Sequence, residues 1–237
     1  LKVAGDRAVF IAGHASAPPS LVALDLQSGA VETIRRSTDA AIDPGHVSIA
    51  EAIRFPTTGG REAYGFFYPS ANGDFTAPGD TLPPLIVKSH GGPTGQTGES
   101  LNLKIQYWTS RGFAVLDVNY GGSTGYGRAY REQLHGEWGV VDVDDCVAGA
   151  AYLVARGRVD GDRLIITGGS AGGYTTLCAL TFRDSFRAGA SHYGIGDLAT
   201  LATDTHKFES RYLDRLVGPW PEAEALYRER SPIHFAD

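Results

Sequence analysis

Cysteine is nearly absent: the 237 residues contain two, Cys146 and Cys178, each in an apolar helical context. That excludes a disulfide framework and leaves buried free thiols as the expected state, one compatible with a reducing compartment and a cytoplasmic localisation. No apolar run is long enough to span a bilayer, so no membrane partner is expected. A basic stripe is missing as well. Lys and Arg are dispersed, only Arg35 and Arg36 are adjacent, and the formal net charge is -6, which argues against nucleic acid as a partner. There is no G-x-G-x-x-G, no G-x-x-x-x-G-K-S/T and no H-E-x-x-H, so no cofactor is expected. The seven histidines lack metal-ligand spacing; His14, His46, His135 and His192 are scattered among unrelated elements, and no metal is expected.

What the chain does carry is Gly168-Gly169-Ser170-Ala171-Gly172-Gly173, directly after the apolar run Leu164-Ile165-Ile166-Thr167 and ahead of a helical stretch. This reads as a nucleophile elbow. A serine hydroxyl is a poor nucleophile at neutral pH and must be held at a sharp strand-to-helix turn within reach of a base and an oxyanion site. Ser170 is the candidate nucleophile, and the N–H of Ala171 is placed to meet a developing oxyanion.

Upstream, Pro84-Leu85-Ile86-Val87-Lys88-Ser89 reads as a short buried strand running into His90-Gly91-Gly92-Pro93. The loop after an early strand supplies the second oxyanion donor in an α/β-hydrolase, which makes Gly91 and Gly92 the candidates. The His90 side chain reads either as a structural imidazole holding the loop or as a substrate contact.

Between these motifs strands and helices alternate, the pattern of a mostly parallel sheet with helices on both faces. Ser100 is expected to cap a helix carrying Leu101, Ile105 and Trp108, with Gly112 before the strand Phe113 to Val118. Asp142, Asp144 and Asp145 favour the start of a second helix, as partners of its dipole, and Gly157 ends it. After Ser170 come an apolar helix through Phe182, a strand near Ala188 to Tyr193, and helices around Lys207 to Leu216 and Glu222 to Arg230.

The first forty residues differ in kind. Leu1 to Val3, Ala8 to Ile11, Leu21 to Leu24 and Ala30 to Ile34 are short apolar runs separated by turn residues, and four strands in one unit suggest a single propeller blade. A lone blade is too small to be stable, so further blades are expected outside these residues. The expected domains are 1–40, a last blade, and 41–237, an α/β-hydrolase domain that is incomplete at its C-terminus, with a linker near Thr38 to His46.

Taken together, the blade pattern, the His90 to Pro93 loop, Asn119-Tyr120-Gly121-Gly122-Ser123-Thr124-Gly125-Tyr126-Gly127, the elbow and Ser231-Pro232-Ile233-His234 resemble the prolyl oligopeptidase family of serine peptidases, in particular its acylaminoacyl-peptidase and dipeptidyl-aminopeptidase-like branch. The resemblance implies a propeller covering an α/β-hydrolase domain, short peptides as substrates, and acyl transfer at Ser170. It also implies an oxyanion hole from Ala171 with Gly92 or Gly91.

In that family the acid and the histidine come after the elbow in that order, and neither is expected within these residues. Asp197 with His206, and Asp204 with His234, are the internal alternatives. The first pair is too close for an intervening strand, and His234 lies in a turn. Without a base, these residues alone are expected to be nearly inactive. A helix near Glu209 could face the site and bind a substrate amine; Tyr120 and Tyr126 could line it or belong to the core. Two other readings stay open: a carboxylesterase-like hydrolase and a non-catalytic scaffold. Either the propeller edge or the hydrolase face could build a homo-oligomer.

Overall fold

The computed structural model describes residues 1–40, 42–205, 207, 209 and 211–236. Short apolar segments separated by turns give four strands, β1 (Lys2–Ala4), β2 (Arg7–Ala12), β3 (Ser20–Asp25) and β4 (Val31–Arg36), joined as an antiparallel sheet in that order. The sheet is the blade of a β-propeller. Its buried apolar residues are few, Ala8, Val22 and Ala23, and every residue of β4 is exposed. The Leu101 N–H donates to the His14 carbonyl at 2.8 Å, which ties the blade to the rest of the chain.

The second sheet has six strands. A hairpin of β5 (Glu51–Pro56) and β6 (Glu62–Tyr68) lies at one side, and β6 pairs antiparallel with β8 (Ala114–Asn119). β8, β7 (Leu85–Ser89), β9 (Leu164–Gly169) and β10 (Ala188–His192) are parallel neighbours in that order. β8 is buried at all six positions and β7 at four of five, as expected for parallel strands covered on both faces. Because side chains alternate, Ile86 and Val115 join Tyr68 in a small cluster with Ile105 of α1 (Leu103–Thr109) on one face. Val87, Leu116, Val118 and Ile166 join the main core on the other face, where α3 (Val141–Ala155) and α4 (Ala171–Phe182) pack. This is the α/β-hydrolase fold. α2 (Arg128–Glu132), α5 (Leu198–Asp204), α6 (Tyr212–Leu216) and α7 (Glu224–Glu229) complete the helices among the described residues.

The structure differs from expectation at three places. The helix expected from Ser100 begins at Leu103, because the Asn102 side chain, not Ser100, accepts from the Lys104 N–H at 3.0 Å. The helix expected from Lys207 begins only at Tyr212; positions 208 and 210 within it lie outside the described residues. The hairpin β5–β6 has no counterpart among the expected elements.

The three aspartates at the start of α3, with Asp142 and Asp144 in its first turn as expected, are also tethers. Asp142 and Asp145 are fully buried. Asp142 accepts from the Gly139 N–H and from the Thr175 hydroxyl on α4, Asp145 from the Gly121 N–H at 2.7 Å and from Arg61, and Asp144 from Arg183.

Candidate active site

β9 ends at Gly169 and α4 begins at Ala171, so Ser170 alone makes the turn, at φ 55° and ψ -121°. For a residue with a side chain this is a strained conformation, held here by the surroundings. The Ser170 N–H donates to the His192 carbonyl at 3.0 Å, and its carbonyl accepts from the Tyr174 N–H at 3.0 Å. The side chain therefore projects at the C-terminal end of the sheet, where α/β folds place their sites, and it is exposed. Ala171, the first residue of the helix, has an N–H with no intrahelical acceptor.

Two glycines make the approach possible. A Cβ at Gly172 would stand 2.2 Å from the Ser89 carbonyl oxygen, so only glycine lets α4 start against the end of β7. The Ser89 hydroxyl closes that contact by donating to the Gly172 carbonyl at 2.9 Å. A Cβ at Gly91 would stand 3.5 Å from the Ser170 Cβ and 3.0 Å from the Gly169 carbonyl oxygen. The main chain of the His90 loop thus lies beside the nucleophile with nothing between them. Gly92, at φ 58°, turns the loop away.

A cavity of about 640 Å³ opens here, lined by Ser170, Gly91, His192, Tyr193, Lys88 and Trp108 among others. Sequence reasoning assigned no role in the site to His192 or Tyr193. Their position at the end of a strand parallel to β9 is the signal that could have found them, since it puts them level with the elbow.

His90 supports the loop and also lines the cavity. Its Nδ1 lies 3.1 Å from the Gly91 carbonyl oxygen and its Nε2 2.8 Å from the Ser123 hydroxyl. The Ser123 hydroxyl donates its single proton to the Tyr120 carbonyl at 2.7 Å, so toward His90 Nε2 its oxygen acts as the acceptor. Burial pushes the imidazole pKa below its ordinary value, against the opposing effect of the Gly91 bond. Tyr120, expected as a candidate pocket residue, is fully buried. Its ring lies flat on His90 at 4.3 Å between centroids, and its hydroxyl donates to the His90 carbonyl at 3.1 Å. Tyr126 stacks on Tyr64 at 4.4 Å.

Glu209 is exposed, accepts from the Thr205 hydroxyl at 3.0 Å and is not among the residues lining the cavity. Asp197 caps α5, accepting from the Ala199 N–H at 2.9 Å and from the Thr200 hydroxyl at 2.9 Å. His206 and Asp237 lie outside the described residues. Both thiols are buried, and burial raises their pKa. Among the described residues no cluster of His, Cys, Asp or Glu is arranged to hold a metal ion.

An α/β-hydrolase sheet with a strained serine at its elbow and a glycine main chain facing it defines a hydrolase fold equipped for nucleophilic acyl transfer. The model of the prolyl oligopeptidase family matches residues 99–237, more than half of the chain. The chain belongs to that family. It is 35% identical over 173 residues to dipeptidyl aminopeptidase BIII of Pseudoxanthomonas mexicana, covering 70% of this chain and 25% of that protein. The solved structure of a Mycobacterium tuberculosis puromycin-hydrolyzing peptidase superposes with a TM-score of 0.96 at 48% identity, over 98% of this chain and 35% of that one. Pyrococcus horikoshii acylaminoacyl peptidase gives a TM-score of 0.83 at 26% identity, over 98% and 37% respectively. The chain thus spans between a quarter and two fifths of the length of these relatives.

Proposed function

We propose that these residues carry the nucleophile and oxyanion site of a serine peptidase that cleaves short peptides through an acyl-enzyme on Ser170. The observation that carries this reading is the placement of Ser170: held at φ 55° at the strand-to-helix turn, with the Gly91 main chain alongside. In the proposed step the Ser170 Oγ attacks the substrate carbonyl carbon and loses its proton to a base. The carbonyl oxygen, now anionic, is met by the Ala171 N–H and by that of Gly92 or Gly91. Collapse expels the amine, which takes the proton back, and water repeats the sequence on the acyl-enzyme.

The base comes, in this proposal, from a segment outside these 237 residues. His90 is committed to Ser123 and Gly91, and among the described residues no imidazole hydrogen-bonds the Ser170 hydroxyl. Asp197 is committed to its helix cap. The peptide class rests on family membership and on similarity to a dipeptidyl aminopeptidase, an acylaminoacyl peptidase and a puromycin-hydrolyzing peptidase.

The test is made on the full-length protein. A fluorophosphonate should label it at Ser170, and Ser170→Ala should abolish both labelling and release of nitroaniline from aminoacyl-anilides. Anilide turnover that survives Ser170→Ala would overturn the assignment.

A further inference from the structure

The oxyanion loop runs from His90, where it is held by Ser123 and Tyr120, through two exposed glycines to Thr97. A glycine pair is conformationally permissive, and an oxyanion donor is effective only when held in place before the reaction. The glycines therefore depend on how both ends of the loop are held, and the far end is held unusually firmly.

Every polar group of Thr97 is taken. Its N–H donates to Asn119 Oδ1 at 2.8 Å, its carbonyl accepts from Asn119 Nδ2 at 3.1 Å, and its hydroxyl donates to Asp117 Oδ2 at 2.7 Å. Asp117 is itself gripped by Lys88 Nζ at 2.6 Å, from the residue paired with it across β7 and β8. Two residues back, the Gly95 N–H closes a turn onto the Gly92 carbonyl at 2.5 Å, and the Gly95 carbonyl accepts from the Thr124 N–H at 2.9 Å. One stretch, from Asp117 to Thr124, thus grips the loop at both ends.

The clamp has a cost. Asp117 is 1% exposed, and both of its bonds fall on Oδ2; Oδ1 is buried with no partner among the described residues. A buried carboxylate oxygen without a partner is unfavourable, so this group is better explained by the geometry it enforces than by a gain in stability.

We propose that Thr97 is a positioning residue for the oxyanion site: held by Asp117 and Asn119, it fixes the Gly92–Gly95 turn and so the main chain at Gly91 and Gly92. The proposal rests on the acyl-transfer reading of Ser170. Thr97 touches no reacting atom; its effect is on the placement of donors that act in the transition state.

In the full-length protein, Thr97→Val removes the hydroxyl at constant shape and Thr97→Ser keeps it. Two readouts are the turnover of p-nitrophenyl butyrate and the second-order rate of fluorophosphonate labelling, whose phosphoryl oxygen occupies the same hole. Thr97→Val should lower kcat and the labelling rate by the same factor, about tenfold, with KM within about twofold. Thr97→Ser should restore both. If Thr97→Val does not fold, Thr97→Ala removes the hydroxyl without placing a methyl against Asp117. The proposal fails if the hydroxyl-free variant labels and turns over like the parent while Ser170→Ala is inert. It fails equally if Thr97→Ser does not recover what Thr97→Val lost. Labelling that persists in Ser170→Ala would instead bring down the acyl-transfer reading itself.

Discussion

Tyr120 lies flat against His90, 15° between the ring planes, and its hydroxyl bonds the carbonyl of the same residue. The contact holds His90 by its ring and its main chain together, so the loop leaves β7 in one direction only. Tyr120→Phe keeps the stack and deletes the bond. Removing one partner of a buried hydrogen bond costs about 1–2 kcal/mol, and here the cost should fall on the geometry of the loop. Steady-state kinetics should show kcat reduced severalfold with little change in KM. An unchanged kcat would mean that the ring alone orients the loop.

Gly172 gives the sharpest steric prediction. An alanine Cβ would come within 2.2 Å of the Ser89 carbonyl oxygen and 2.9 Å of the His90 carbonyl oxygen, both main-chain atoms with no rotamer to move aside. Gly172→Ala should destabilise the protein by about 2–3 kcal/mol and slow fluorophosphonate labelling of whatever remains folded. Urea unfolding read beside the labelling rate separates the two effects.

How much of this can be read from the sequence depends on whether the signal is local. The elbow, the His90 loop and the four strands of the blade are legible because each is a contiguous run with its own turn chemistry. The hairpin β5–β6 is not. Along residues 62–67 buried Ala63, Gly65 and Phe67 do alternate with less buried residues, but Gly65 interrupts the apolar pattern and the partner strand carries only Ile53 and Phe55 as apolar anchors of any size. Gly59-Gly60, both at positive φ, is the turn signal that marks it. Asp142 and Asp145 look like ordinary first-turn acids because sequence cannot show that the first turn of α3 is buried. Tyr120 and Thr97 are illegible for the same reason: their roles depend on partners 30 and 22 residues away.

Arg61 tests the tether that joins the hairpin to the segment after β8. It reaches Asp145 Oδ1 at 3.1 Å, while the other oxygen of Asp145 accepts from the Gly121 N–H. Arg61 is partly exposed but Asp145 is not, so Arg61→Met leaves a buried carboxylate without its cation. Breaking such a pair costs about 3–5 kcal/mol. The remaining bonds from Gly121 and Thr57 should hold the loss near the lower end of that range. Asp145→Asn in the same background should recover part of it; a double variant no better than Arg61→Met would show that packing of the arginine stem is what matters.

Asp142 makes a prediction about pH with a definite sign. Burial raises its carboxyl to about 6 from an ordinary 3.8, against the bonds from Thr175 and Gly139 that favour the charged form. Between those two values the folded protein binds the proton that the unfolded chain has released. The resulting stabilisation is full below about pH 4 and is lost as pH rises through 6, about 3 kcal/mol over the window. His90 acts in the opposite sense. Its pKa is lowered, so the unfolded chain takes the proton first and stability falls as pH drops below its ordinary 6.5. Comparison with Asp142→Asn removes this overlap, because both proteins contain His90. Urea unfolding at pH 4.5 and pH 7 should show the parent losing stability relative to Asp142→Asn across that interval, as the buried carboxyl ionises beside Asp145 and against α4. A difference that does not vary with pH would mean that Asp142 is ionised throughout, its charge fully met by the Thr175 and Gly139 bonds.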